Sequence, residues 1–190
     1  MAKLGKVGKV GKVGKVGKVG NGPWVSKSFS PDNPLGKWAV KDPDAAFDYA
    51  VTRSGEGQYV ALGQMGYEMG RESGSLEAER WMGEKLASLD SGQLAALLPK
   101  SGLLNSSGQL RNYIRVMPED VADEFRFQAI KAEPYVMEIL QDVPDVEDRL
   151  AVIERLRNVK DTGFIRSVMK QWQVPQDRGE RVLETVRQTE

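Results

Sequence analysis

The chain has neither histidine nor cysteine among its 190 residues. Histidine is the usual general base near neutral pH and the commonest metal ligand, so its absence removes every Ser-His-Asp and Cys-His arrangement. Without cysteine there is no disulfide framework and no thiolate nucleophile, which fits a reducing compartment. No apolar run approaches the roughly 18 residues of a membrane-spanning helix, so none is expected. No continuous apolar stretch follows the first lysine, so no secretory signal peptide is expected either. A P-loop, a dinucleotide fingerprint and an EF-hand loop are missing as well, so neither a cofactor nor a bound metal is expected. Paired carboxylates, a Ser-Lys dyad or an oxygen-ligand metal site are the chemistries that survive these absences.

Acidic residues are absent from the first 22 positions, where Gly-Lys-Val runs five times from Gly5 to Val19. On an α-helix three residues turn about 300°, so five repeats spread lysine, valine and glycine around the whole circumference and no amphipathic face forms. Glycine at every third position costs roughly 1 kcal/mol each against alanine in a helix interior. A strand, with its side-chain period of two, places lysine on both faces alternately. Only an extended threefold conformation keeps the three residue types on separate edges, so residues 1–22 are expected to form an extended basic arm. Lys3, Lys6, Lys9, Lys12, Lys15 and Lys18 are its candidate polyanion contacts. With no arginine for bidentate base contacts and no aromatic ring for stacking, such an arm positions a polyanion without reading its sequence. A membrane surface is a poor target, because the five valines of the repeat share no face.

Six of the 27 basic residues lie in this arm, so the remaining 168 residues carry 21 basic against 27 acidic residues, a formal charge of −6. The overall neutrality is the sum of two opposite parts. Nucleic-acid binding is therefore expected of the arm and not of the body.

Residues 23–41 are rich in proline yet carry Trp24, Phe29, Leu35 and Trp38, too many large apolar groups for a solvated linker. The expectation is an extended strap whose anchors pack on the helical body or dock into another protein. From residue 42 the pattern is helical and predicts an all-α domain over 42–190. Asp42-Pro43 reads as N-cap and first helical position of a run ending near Ser54-Gly55. Helical patterns then cover Gln58 to Arg71, Ser75 to Leu89, Asp90 to Leu98 and the stretch through Leu110, Tyr113 and Met117. Further helices are expected from Pro118, Pro134 and Pro144, over Gly163 to Val174 and over Gln176 to Arg187. About nine short helices result, with no strand signal in the body.

Within that domain Gly63, Gly66 and Gly70 fall at i, i+3 and i+7 and line one side of a helix, where they permit close approach of another backbone. Tight packing within the chain and a subunit contact are both compatible with that row. Glu119, Asp120, Asp123 and Glu124 at a helix start are better explained by the helix dipole than by metal binding. Glu72, with Glu68 one turn earlier, is the weak catalytic candidate. Glu72-Ser73 at a helix end resembles the Glu-Ser motif of lytic transglycosylases, which implies a glutamate acting as general acid and base on peptidoglycan. The Gly-Leu-Met-Gln motif that lies downstream in that family has its nearest counterpart here upstream and reordered, as Gly63-Gln64-Met65-Gly66.

The expectation from sequence is a non-enzymatic structural or assembly protein. The type is a minor virion component of a tailed phage, internal or connector in position, cytoplasmic or within a virion. Its arm would contact nucleic acid or neighbouring subunits. The alternatives are a peptidoglycan-cleaving enzyme using Glu72 and a soluble adaptor acting through residues 23–41.

Overall fold

The computed structural model describes residues 34–188, all of whose regular structure is helical. The basic arm, Trp24 and Phe29 lie outside the described residues. Helix α1 spans Pro34–Lys41, α2 Pro43–Gly55, α3 Leu62–Ser73, α4 Ser75–Ala87 and α5 Ser91–Leu97. Two short 3-10 turns, Leu98–Lys100 and Leu103–Asn105, lead into α6 (Ser107–Ile114) and α7 (Glu119–Ala132). A 3-10 segment, Pro134–Asp142, then precedes α8 (Val146–Glu154), α9 (Gly163–Gln171) and α10 (Gln176–Arg187).

Helix starts follow local capping chemistry. The Asp42 carboxylate accepts from the Ala45 amide at 3.1 Å, with Pro43 behind it at the first helical position. Asp90 and Gln93 form a reciprocal capping box at α5, and Ser106 accepts from the Gln109 amide at α6. Pro118 and Pro175 sit at the N-cap positions of α7 and α10. One core runs through the domain, filled by Phe47, Met65, Met82, Leu86, Leu97, Leu110, Phe125, Ile130, Ile139, Leu150, Ile153 and Leu183. Helices α1 and α2 pack with α3, α4 and α6 at one end, and α8 to α10 close the other around the 3-10 segment.

Four departures from the sequence pattern have physical causes. The second half of the expected extended strap, residues 34–41, is helical. Pro34 needs no amide partner at a helix start, and Leu35 and Ala39, one turn apart, are both buried against the body. Residues 58–61 are not helical, because the Val60 amide is drawn to the Lys100 carbonyl at 2.8 Å and holds the chain extended until α3 begins at Leu62. The element beginning at Pro134 is 3-10, not α. Its buried residues Val136, Met137, Ile139 and Leu140 repeat every three positions, the spacing at which 3-10 side chains eclipse. Helix α9 stops at Gln171, short of Val174. Gln173 takes the left-handed conformation (φ 57°), while the Val174 and Gln173 amides bond back to Met169 and Lys170, completing a Schellman turn with glutamine in the glycine position.

Candidate functional site

Helix α3 carries most of the residues singled out from the sequence. Its glycines face three different neighbours. A Cβ added at Gly63 would lie 3.2 Å from the Gly102 carbonyl oxygen, one at Gly66 3.0 Å from the Tyr113 hydroxyl, and one at Gly70 3.5 Å from Ser75 Cα. The row is thus in contact with the loop after α5, with α6 and with the start of α4. Gly66, Gly70, Arg71, Ser75, Glu79 and Tyr113 border a small cavity of about 170 Å³. The Tyr113 side chain is buried, and its hydroxyl completes no hydrogen bond, although the Gln109 amide lies nearby. Burial, with the Glu79 carboxylate beside it, pushes the phenol well above its ordinary value.

Glu68 and Glu72 do not share this cavity. The Glu68 carboxylate pairs with Arg71 at 3.2 Å, and its Cγ would lie 3.0 Å from a Cβ at Gly36, so α1 lies against it. Glu72 is exposed near the end of α3. A glycosidase acid is enclosed so that it keeps its proton, and a partner carboxylate stands across a cleft that holds the sugar. The nearby cavity is smaller than the roughly 300–1,000 Å³ of ordinary ligand pockets and has neither glutamate in its wall.

Of the strap anchors within the described residues, Leu35 is buried and Trp38 is 38% exposed. The Trp38 ring leans on Tyr49 of α2 with centroids 5.4 Å apart, and Arg53 lies 5.9 Å from the Tyr49 ring. Tyr49 and Val40 are exposed with it, so α1 and α2 present an aromatic patch just after the described chain begins.

Two of the four acidic residues at the start of α7, Asp123 and Glu124, are engaged in pairing. Asp123 accepts from Arg126 at 2.6 Å. Glu124 accepts from Ser91 at 2.7 Å, from Gln128 at 2.9 Å and from Arg155. Burial pushes the Glu124 carboxyl up, but the hydrogen bonds from Gln128, Ser91 and Arg155 outweigh it and hold the group below the ordinary range. Among the described residues no group of three acidic side chains is arranged to hold a metal ion.

Two features escaped the sequence pattern. Gly83, mid-helix in α4, is the tightest glycine among the described residues: a Cβ there would run into Val116 Cγ2 and sit 2.7 Å from the Tyr113 carbonyl oxygen. A lone glycine inside an otherwise regular helical run was its only sequence signal. The second is a cavity of about 430 Å³ between α7 and the segment following α8, bordered by Phe127, Lys131, Arg155 and Arg157. Its basic residues are scattered in sequence and carry no motif.

The described region is an all-helical domain in which no helix is long and apolar enough to cross a membrane. Comparison with protein families, with curated proteins and with solved structures found no match.

Proposed function

We propose that this chain is a non-enzymatic assembly protein whose basic arm, residues 1–22, contacts nucleic acid or the acidic surfaces of neighbouring subunits. A minor component of a tailed-phage virion is the setting that suits it. The observation that carries the reading is the charge partition: six regularly spaced lysines with no acidic residue among them, followed by a body of formal charge −6. Opposite charges on one chain favour either an external polyanion or the acidic face of another copy. The exposure of Glu72 and the pairing of Glu68 with Arg71 weigh on the same side, because neither carboxylate is enclosed as a sugar-cleaving acid must be.

The test compares the full chain with a variant carrying glutamine at Lys3, Lys6, Lys9, Lys12, Lys15 and Lys18. Binding to a fluorescent DNA duplex and sedimentation are measured in low salt. The parent binds or self-associates and the variant does neither. A parent that stays monomeric and ignores DNA sinks the reading.

A second reading, a protein-binding adaptor acting through residues 23–41, is favoured by one observation. Trp38 remains 38% exposed beside exposed Tyr49, although Leu35 and Ala39 of the same helix are buried. Half-exposed aromatic pairs suit contact with another protein. Trp38→Ala with Tyr49→Ala would lower self-association measured by sedimentation while barely moving the melting temperature. A large fall in melting temperature with unchanged association would mean that the pair serves the fold alone.

A further inference from the structure

We propose that the cavity between α7 and the segment following α8 binds a phosphomonoester with a flat apolar body, the chemical class of a mononucleotide. Its volume of about 430 Å³ lies within the usual range for small-ligand pockets. Ile130 and Leu156, both buried, and the half-buried Val159 supply apolar wall. Lys131, Arg155 and Arg157 converge on it from two separate elements, and among the described residues that border it there is no carboxylate. This is a concentration of one sign in a body whose formal charge is −6.

The three cations are held differently. Arg155 lies over Phe127, 3.9 Å from the ring centroid, and is also paired with Glu124 behind it. Lys131 stands 5.7 Å from the same centroid and has no ion pair among the described residues. Arg157 donates from Nη1 alone to the backbone carbonyls of Glu154 and Leu156, which anchors the guanidinium without neutralising it and leaves Nε and Nη2 for a ligand. With Glu124 set against Arg155, two positive charges remain uncompensated at the mouth. A phosphomonoester carries about −1.5 to −2 at neutral pH, so it matches them where a single carboxylate would not.

The rim is preformed. Asn158 is held left-handed (φ 58°), and the Asn158 and Val159 amides donate to the Gln188 and Val186 carbonyls at 3.1 and 2.9 Å, tying the segment to the end of α10. Non-glycine residues in this conformation cost on the order of 1 kcal/mol and recur where a loop is held for a ligand. Polar contacts for the phosphate come from Lys131 and Arg157, and the apolar walls beside them accept a ring.

The full chain is titrated with AMP, inorganic phosphate and adenosine by calorimetry and by amide chemical shifts. AMP binds at least about tenfold more tightly than phosphate, and adenosine does not saturate. Shifts concentrate at residues 127–131 and 155–159. The double change Lys131→Gln and Arg157→Gln weakens AMP by about tenfold or more with an unchanged melting temperature, while glutamine at the six arm lysines leaves AMP affinity within about twofold. Absence of saturation by AMP, equal binding of phosphate and AMP, or loss of binding with the arm variant each overturns the proposal. The shift map on the parent chain decides it even if the double variant fails to fold.

Discussion

Tyr113 holds a buried hydroxyl that completes no hydrogen bond, and a buried polar atom in that state costs about 1–3 kcal/mol. Tyr113→Phe removes the orphaned oxygen and keeps the ring, so urea unfolding should find the variant as stable as the parent or up to about 1 kcal/mol more stable. A clear loss would mean that Gln109 or a bound water satisfies the hydroxyl. Glycines divide in the same way by surroundings. A Cβ at Gly83 runs into Val116 and the Tyr113 carbonyl, one of them backbone that cannot rotate aside, so Gly83→Ala should destabilise by about 1–3 kcal/mol or more. Nothing lies within 4 Å of a Cβ at Gly55, at the end of α2, so Gly55→Ala should stabilise by about 0.4–1 kcal/mol. Equal outcomes at the two positions would contradict the close crossing of α4 and α6. The row Gly63, Gly66, Gly70 stood out in the sequence because three glycines at helical spacing repeat, but what each meets did not, since Gly66 faces side chains and not the expected backbone; Gly83 did not stand out, because its reason lies in Val116, 33 positions away.

Between elements, ion pairs link helices that the chain joins only through loops. Arg178 of α10 reaches both Glu147 and Glu154 of α8, and Arg111 of α6 holds Asp142 at the end of the 3-10 segment. Glu147 is largely exposed and contributes little, so Arg178→Ala should cost about 1–2 kcal/mol, mostly through Glu154 and the lost packing of the stem. Asp142 is held below the ordinary carboxylate range, first by the hydrogen bond from Arg111 and then by its charge, and Glu124 is also net lowered. A carboxyl with a lower value in the folded state than in the unfolded one adds stability above the unfolded value, and that stability drains as pH falls through the folded value. The melting temperature should therefore fall as pH drops below about 4.5, and Asp142→Asn should flatten that fall. An acid limb of unchanged steepness would show that the Arg111 pair does not differ between folded and unfolded chains. Helix starts with a capping carboxylate were the most legible part of the fold, since Asp42 and Asp90 accept from amides within a turn of themselves. Helix α1 and the 3-10 character after Pro134 were not, because both depend on which surface the rest of the chain offers.

At the scale of the whole molecule, opposite charge is segregated along the chain: an entirely basic repeat precedes an acidic helical body. The all-α class was legible from period and punctuation alone, and residues 34–188 contain no strand. The basic cavity beside Phe127 was hidden, because Lys131, Arg155 and Arg157 meet only when α7 and the segment after α8 fold together. The segregation has a direct thermodynamic signature. If the six arm lysines engage phosphates, binding to duplex DNA falls with salt along a log-log slope of about −5, because each neutralised phosphate releases nearly one counterion. The decisive measurement is this slope for the full chain beside the variant with glutamine at those six lysines. The account predicts about −5 for a parent that binds DNA, with binding lost in the variant; equal slopes, or a parent that neither binds DNA nor self-associates at low salt, would contradict it.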